Sequence, residues 1–318
     1  MQMKQKLIPD RRLRLKAKLQ HRDTKDNIEY YLLMAIPLLL IFVFSYLPMF
    51  GLVIAFQDYS PGRPFFGEGV KWVGLKHFVN FVTSYYFPRI LKNTIVLNIM
   101  SLFMGFWVPI VFALVVNEIR NAKFRKFTQT VSYMPNFIST VVVAGMFLSF
   151  IASDGIITQF LTFLGIEAKS LNANKEFFPW FYTLLGVWKS FGWSSILYLS
   201  NLASIDPGLY ESADIDGATR MQKIRYITIP ALMPLIMIQL IFAIGSMLSS
   251  NADLILLLYN ASVYETADVI GTYVYRETLM GGQYSYGTAT GLLMSVLSFI
   301  LVYAANWVAR KKTDFSIW

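Results

Sequence analysis

No cysteine occurs anywhere in the 318 residues. Disulfides and thiolate metal sites are thereby excluded, and the redox compartment is left open. Histidine is almost as scarce. His21 and His77 are the only two, too few for a zinc site unaided, so each reads as a solvated side chain. Charge is thin too: 15% of residues are Asp, Glu, Lys or Arg, against about a quarter in a soluble domain. The chain has no Gly-x-x-x-x-Gly-Lys-Ser/Thr loop and so no recognisable means of binding ATP. No nucleophile–base set and no metal-ligand cluster stands out, which argues against protease, kinase or hydrolase chemistry.

What is abundant is apolar surface. Hydrophobic residues make up 55% of the chain and the mean hydropathy is +0.49. A soluble protein of that composition would have too few polar side chains to cover itself. A bilayer core about 30 Å thick takes about 20 apolar residues at ~1.5 Å each. Five uncharged stretches reach that length: residues 30–57, 93–117, 127–153, 226–252 and 278–309. A sixth, 177–204, is interrupted by Lys189 alone. The sequence therefore predicts an all-α polytopic membrane protein with six transmembrane helices. The first stretch is too long for the apolar part of a signal peptide and no small-residue cleavage pattern follows it, so it reads as a retained span.

Basic residues set the orientation. Nine of the 28 Lys and Arg lie in the first 25 positions, directly before the first span. That placement favours a cytosolic membrane flank over a nucleic-acid arm, and no nucleic-acid partner is expected. With the N-terminus inside, nineteen basic residues fall on the cytosolic side and eight outside, a bias that predicts N-in, C-in. The resulting division is a basic cytosolic tail (1–29), a first span with a long external loop (30–92), a core of five spans carrying a cytosolic loop at 205–230 (93–310), and a cytosolic end (311–318). The tail also suits an amphipathic helix on the inner leaflet.

The cytosolic loop IDPGLYESADIDGATRMQKIRYITIP is the most informative segment. Asp206 is a good helix N-cap and Pro207 suits the first helical position. Gly217 can take the left-handed conformation that ends a helix. Thr219 and Gln222 form a capping-box pattern for a second short helix, after which Pro230 opens the fifth span. Leu209, Ala213 and Gly217 share one helical face, small enough for another surface to approach closely, with Glu211 and Asp216 beside it. Such a knob suits a groove on a soluble partner, although an ordinary interfacial helix pair fits the same pattern.

At these residues the sequence resembles the permeases of binding-protein-dependent ABC importers. Their cytosolic signature is E-A-A, three residues, Gly, nine residues, then I-x-L-P. Here it reads Glu211-Ser212-Ala213, Gly217, and Ile227-Thr228-Ile229-Pro230, with Ser212 and Ile229 as mild departures. DYSPG at Asp58, WVGLKHF at Trp72, YMPNFIST at Tyr133, WKSFGWSSILYLSNLASIDPGLYESADIDGA, DVIGTYVYRETL and the closing SIW are similar to the LplB-type polysaccharide branch. The resemblance implies a MetI-like permease fold of the type I, MalF/MalG-like class. It further implies a second homologous permease, two ATPase subunits that use ATP and Mg, and an extracytoplasmic solute-binding protein. The implied solute is an oligosaccharide from pectin- or alginate-like polymers. ATPase coupling is expected at Glu211, Ser212, Ala213, Asp216, Gly217, Ala218, Ile227 and Pro230.

Lys189 is the one ionisable group well inside a span. It should face a cavity or a partner group, or snorkel. Trp188 and Trp193 beside it suit stacking on sugar rings, and a cation suits an acidic sugar. Asn251 and Tyr259 are weaker candidates for the substrate path, and Asn136 and Ser139 read as helix-packing residues. A secondary transporter is the main rival class, but such proteins usually carry intramembrane acids, and no acid lies within these six stretches. A permease for another solute class shares the cytosolic signature and stays open.

Overall fold

The computed structural model describes residues 30–165, 171–248, 252–312 and 316–317. The basic tail, His21 and Asn251 lie outside the described residues. Helix α1 (Tyr30–Phe56) is apolar along its length and almost wholly exposed. Short α2 (Lys76–Val82) lies in the loop that follows, before α3 (Phe87–Asn117). That loop is anchored rather than loose. The Gln57 side chain is buried and donates to the Phe65 carbonyl at 2.9 Å. The Tyr59 N–H reaches Ser285 Oγ at 3.0 Å. His77 is half-buried and its Nε2 meets the Gln57 carbonyl at 3.0 Å, so it pins the outer end of α1 instead of being solvated.

The third apolar stretch is not one straight rod. It divides into α4 (Ala122–Phe137) and α5 (Thr140–Phe150), which meet at 97°. Pro135 weakens the last turn of α4 by removing a backbone donor. Ile138 and Ser139 then take ψ values of 134° and 138°, which no helix can continue through. Short α6 (Ile156–Phe163) follows, then α7 (Phe178–Leu202). At 25 residues α7 spans ~37 Å, enough to cross.

The segment expected to be cytosolic begins with α8 (Pro207–Ile215). The second short helix expected after it is instead the start of a longer one. α9 runs unbroken from Arg220 to Gly245, so Pro230 lies inside the fifth span rather than opening it. A π-helical turn at Ile224–Thr228 makes this possible. The Ile229 N–H bonds to the Ile224 carbonyl, and the widened turn lets the proline ring pass its preceding carbonyl. The same device occurs in α1, where a π turn at Phe42–Tyr46 precedes Pro48. Beyond α9 come α10 (Ala252–Leu258), α11 (Tyr264–Ala267), α12 (Ile270–Tyr275), a π turn at Arg276–Met280, and α13 (Tyr284–Lys312).

Among the described residues, α1, α3, α9 and α13 are each long and apolar enough to cross a membrane, and the bent pair α4–α5 makes a fifth crossing if taken as one span. With α7 the arrangement is compatible with six. Packing is organised around α3 and α7, which lie along each other. An outer core joins Leu97, Tyr182 and Leu185 to Ile255, Val263 and Val269. A second core sits toward the end that carries α8, where Ile110 and Ala113 meet Leu202, Leu232 and Ile236. A third surrounds Phe81, Ile90, Tyr273 and Tyr286.

Candidate functional site

Between the first and second of these cores lies a cavity of about 870 Å³. It is lined by the middle of α3 (Asn98 to Pro109), the middle of α7 (Tyr182 to Tyr198), the second half of α9 with the turn after it (Gln239 to Met247), and Leu254 of α10. Asn136 and Thr140, on either side of the α4–α5 break, complete the wall. Sequence spacing explains how a helix as apolar as α7 can line a polar space. Thr183, Gly186, Ser190, Ser194 and Leu197 recur at three- and four-residue intervals, so they share a face. Asn98 and Ser101 on α3 and Gln239 on α9 oppose them.

Lys189 projects into this space from near the middle of α7 and donates to Thr140 Oγ1 at 2.5 Å. Among the described residues no carboxylate lies within ion-pair distance of it. A lysine at the bilayer centre costs about 2.5–3.5 kcal/mol on insertion scales, and the cavity is where that cost is reduced. Trp193 stands on the same wall, edge-on to Phe137 with ring centroids 5.4 Å apart. Trp188 is not on the wall. It comes one residue before Lys189, about 100° round the helix from it, where it packs on Phe147 at 5.2 Å against the core that holds Tyr182 and Leu185. Tyr259 is also withdrawn, against Tyr264 with centroids 4.9 Å apart. Of the expected path residues the structure thus brings Lys189 and Trp193 together, and Asn136 joins them from the wall instead of merely packing helices.

The knob formed by α8 is built as its local sequence dictates. Asp206 Oδ1 caps α8 by accepting from the Gly208 N–H at 2.9 Å. Gly217 has φ +74°, and the Ala218 N–H returns to the Ala213 carbonyl at 2.9 Å, a Schellman closure. Thr219 and Gln222 complete the reciprocal capping box that starts α9. Two side-chain contacts clamp the knob to α9: Lys223 Nζ to Asp214 Oδ1 at 2.7 Å and the Tyr210 hydroxyl to the buried Thr228 hydroxyl at 3.0 Å. Glu211, Ser212, Asp216 and Gly217 face solvent, with Ile215 87% exposed beside them. Ala213 and Ala218 are half-buried beneath, and Ile227 lies half-buried in the π turn.

A third feature was not anticipated from sequence. Asp268 is 0% exposed and receives Arg276 through both guanidinium nitrogens, at 3.2 and 3.0 Å. Thr272 Oγ1 donates to it at 2.8 Å and Arg89 Nη2 at 3.4 Å. Arg276 lies over the rings of Tyr264 and Tyr273, 5.4 Å from each centroid. Asn93 Nδ2 adds bonds to the carbonyls of Glu265 and Asp268, both at 2.9 Å. Together they fasten 264–276 to the outer end of α3. The available signal was one acid and one arginine in a Tyr- and Thr-rich segment, which sequence alone reads as solvated.

Known proteins agree with this geometry. The family described as binding-protein-dependent transport system inner membrane component matches residues 105–314. The polygalacturonan/rhamnogalacturonan transport system permease protein YteP of Bacillus subtilis (strain 168) is 42% identical over 286 residues, covering 89% of this chain and 88% of that protein. Protein LplB of the same organism is 38% identical over 282 residues, 88% of each. Among solved structures, a bacterial ABC transporter involved in the import of the acidic polysaccharide alginate superposes with a TM-score of 0.82 at 38% identity, covering 92% of this chain and 99% of that one.

Proposed function

The chain belongs to the family of binding-protein-dependent transport system inner membrane components, and from that premise we propose that, with a second related permease, it forms the path for an oligosaccharide cut from a plant or algal polysaccharide. It is a transport subunit, not an enzyme, and a multi-pass protein of the cytoplasmic membrane. In this reading two separate ATPase subunits consume ATP and Mg²⁺, and an extracytoplasmic binding protein delivers the solute. The substrates named for the similar permease and the similar transporter, polygalacturonan, rhamnogalacturonan and alginate, support the oligosaccharide assignment.

The observation that carries the coupling half of the proposal is the clamp between α8 and α9. A knob capped at both ends and bonded to the base of a spanning helix moves as one body with it. Force applied by an ATPase cleft at Glu211–Gly217 would therefore reach α9, and through α9 the cavity wall at Gln239 and Ala243.

The test is made on the reconstituted transporter. Gly217→Val places a β-branched residue at φ +74°, at a local cost of roughly 1–2 kcal/mol, and Glu211→Lys reverses an exposed charge. Both are expected to leave assembly intact and lower solute-stimulated uptake at least ~10-fold, equivalent to about 1.4 kcal/mol of coupling. Full uptake and full solute-stimulated hydrolysis in both variants would show that α8 does not couple.

A further inference from the structure

The break between α4 and α5 leaves a helix N-terminus open on the cavity wall. Ser139 caps α5, yet its hydroxyl makes no capping bond. The first bond within the helix runs from the Val143 N–H to the Ser139 carbonyl at 3.0 Å. The N–H groups of Thr140, Val141 and Val142 therefore have no acceptor inside α5. The positive end of the helix dipole lies at the same place. Lys189 Nζ sits on Thr140 Oγ1, so a full positive charge and a partial one converge. Among the described residues no acid lines the cavity to neutralise them.

A separate observation points to a ligand. Thr183 lines the same cavity and is 1% exposed, and its Oγ1 has no hydrogen-bond partner in the structure. A hydroxyl buried without a partner is costly unless something fills the space beside it. Trp193 offers an indole face on the same wall. The cavity thus presents a cation, an unfilled helix start, a spare hydroxyl and an aromatic surface.

We propose that this is a carboxylate-binding subsite for a uronic-acid residue of the transported chain. The proposal rests on the oligosaccharide reading above and adds which residues of this chain hold the acidic group. Lys189 gives its ammonium group to the carboxylate, the first turn of α5 gives backbone N–H bonds, and Trp193 stacks against the sugar ring. Thr140, which now accepts from Lys189, turns its own O–H toward the same anion.

Binding of trigalacturonate and of its fully methyl-esterified form is measured calorimetrically on the purified complex of permeases and ATPases, with the binding protein omitted so that delivery does not filter the probes. Wild type is expected to bind the acid at least ~10-fold more tightly than the ester. Lys189→Met is expected to erase that preference, and Lys189→Arg to keep it. Thr140→Val, which leaves the lysine in place, is expected to reduce the preference in part. Equal binding of acid and ester by wild type, no binding of either, or an equal loss of both in Lys189→Met would overturn the subsite. Uptake by the complete transporter separates this from the wider reading. Import of neutral oligosaccharides with no acid preference sinks the carboxylate site alone, whereas import of no oligosaccharide at all sinks both.

Discussion

Gly192 lies where α7 crosses α4, and a Cβ built there would run into the backbone carbonyl of Ser132. The obstacle is main chain, so the helices themselves must part. Gly192→Ala is expected to cost about 1–3 kcal/mol, the usual penalty for overpacking, and to lower the thermal midpoint of the purified complex. Gly105 provides the contrast, because a Cβ there meets nothing within 4 Å. Gly105→Ala is expected to hold or raise the midpoint, since alanine is the better helix former by ~1 kcal/mol. Equal losses in both would mean that the crossing is looser than the geometry says. The same scale explains which site residues were readable in advance. Lys189 announced itself as the one charge in an apolar stretch. Thr183, Ser190 and Gln239 did not, because a lone hydroxyl or amide in a span looks like any helix-packing group until the opposite wall is known. Trp188 and Trp193 were indistinguishable by type, and only their angular positions on α7 separate core from cavity.

The outer segment from α10 to the π turn at Arg276–Met280 depends on a single carboxylate. Asp268 holds Arg276, Arg89 and Thr272 at once, while Asn93 fixes the backbone beside it. Asp268→Asn keeps the shape and removes the charge, leaving Arg89 over Tyr86 without its anion and Arg276 with only Glu277, at 3.7 Å. Breaking a buried pair from one side costs about 3–5 kcal/mol. The expected result is faster amide exchange across 264–276 and a lower thermal midpoint, with α8 unaffected. Unchanged exchange in that segment would show that the apolar contacts of Tyr273 and Ile270 hold it alone. By contrast, the pair Lys175–Glu265 is exposed on both sides, and removing it should change little. At this scale the cytosolic elements were legible and the outer ones were not. Capping residues act within one turn, so Asp206, Gly217, Thr219 and Gln222 could be read locally. The Asp268 network joins α3 to α12 across 175 or more residues of chain, and no local pattern records a contact of that span. The break at Ile138–Ser139 was missed for the same reason: the apolar run continues straight through a change in backbone direction.

Most of the outward surface of this molecule is apolar side chain. α1 carries exposed Leu, Ile, Phe and Tyr on nearly every face, so it is stable only against lipid or another subunit. That surface fixes the molecule in a bilayer but does not say which end of it is inside; only the basic bias and the cytosolic signature do. The orientation is a whole-molecule property and has a direct test, because the chain contains no cysteine to confuse it. Single cysteines are introduced as Ile215→Cys, at the tip of α8, and as Ser262→Cys, in the exposed turn before α11. Both positions are solvent-facing, so neither should disturb packing. In intact cells a membrane-impermeant maleimide is expected to label Ser262→Cys at once, and Ile215→Cys only after the membrane is opened. Adding the ATPase subunits to the opened membranes should then slow labelling at position 215 and leave position 262 unchanged. The reverse pattern of access would place the knob on the side where no nucleotide engine can reach it, and the coupling role of α8 would fall with the orientation.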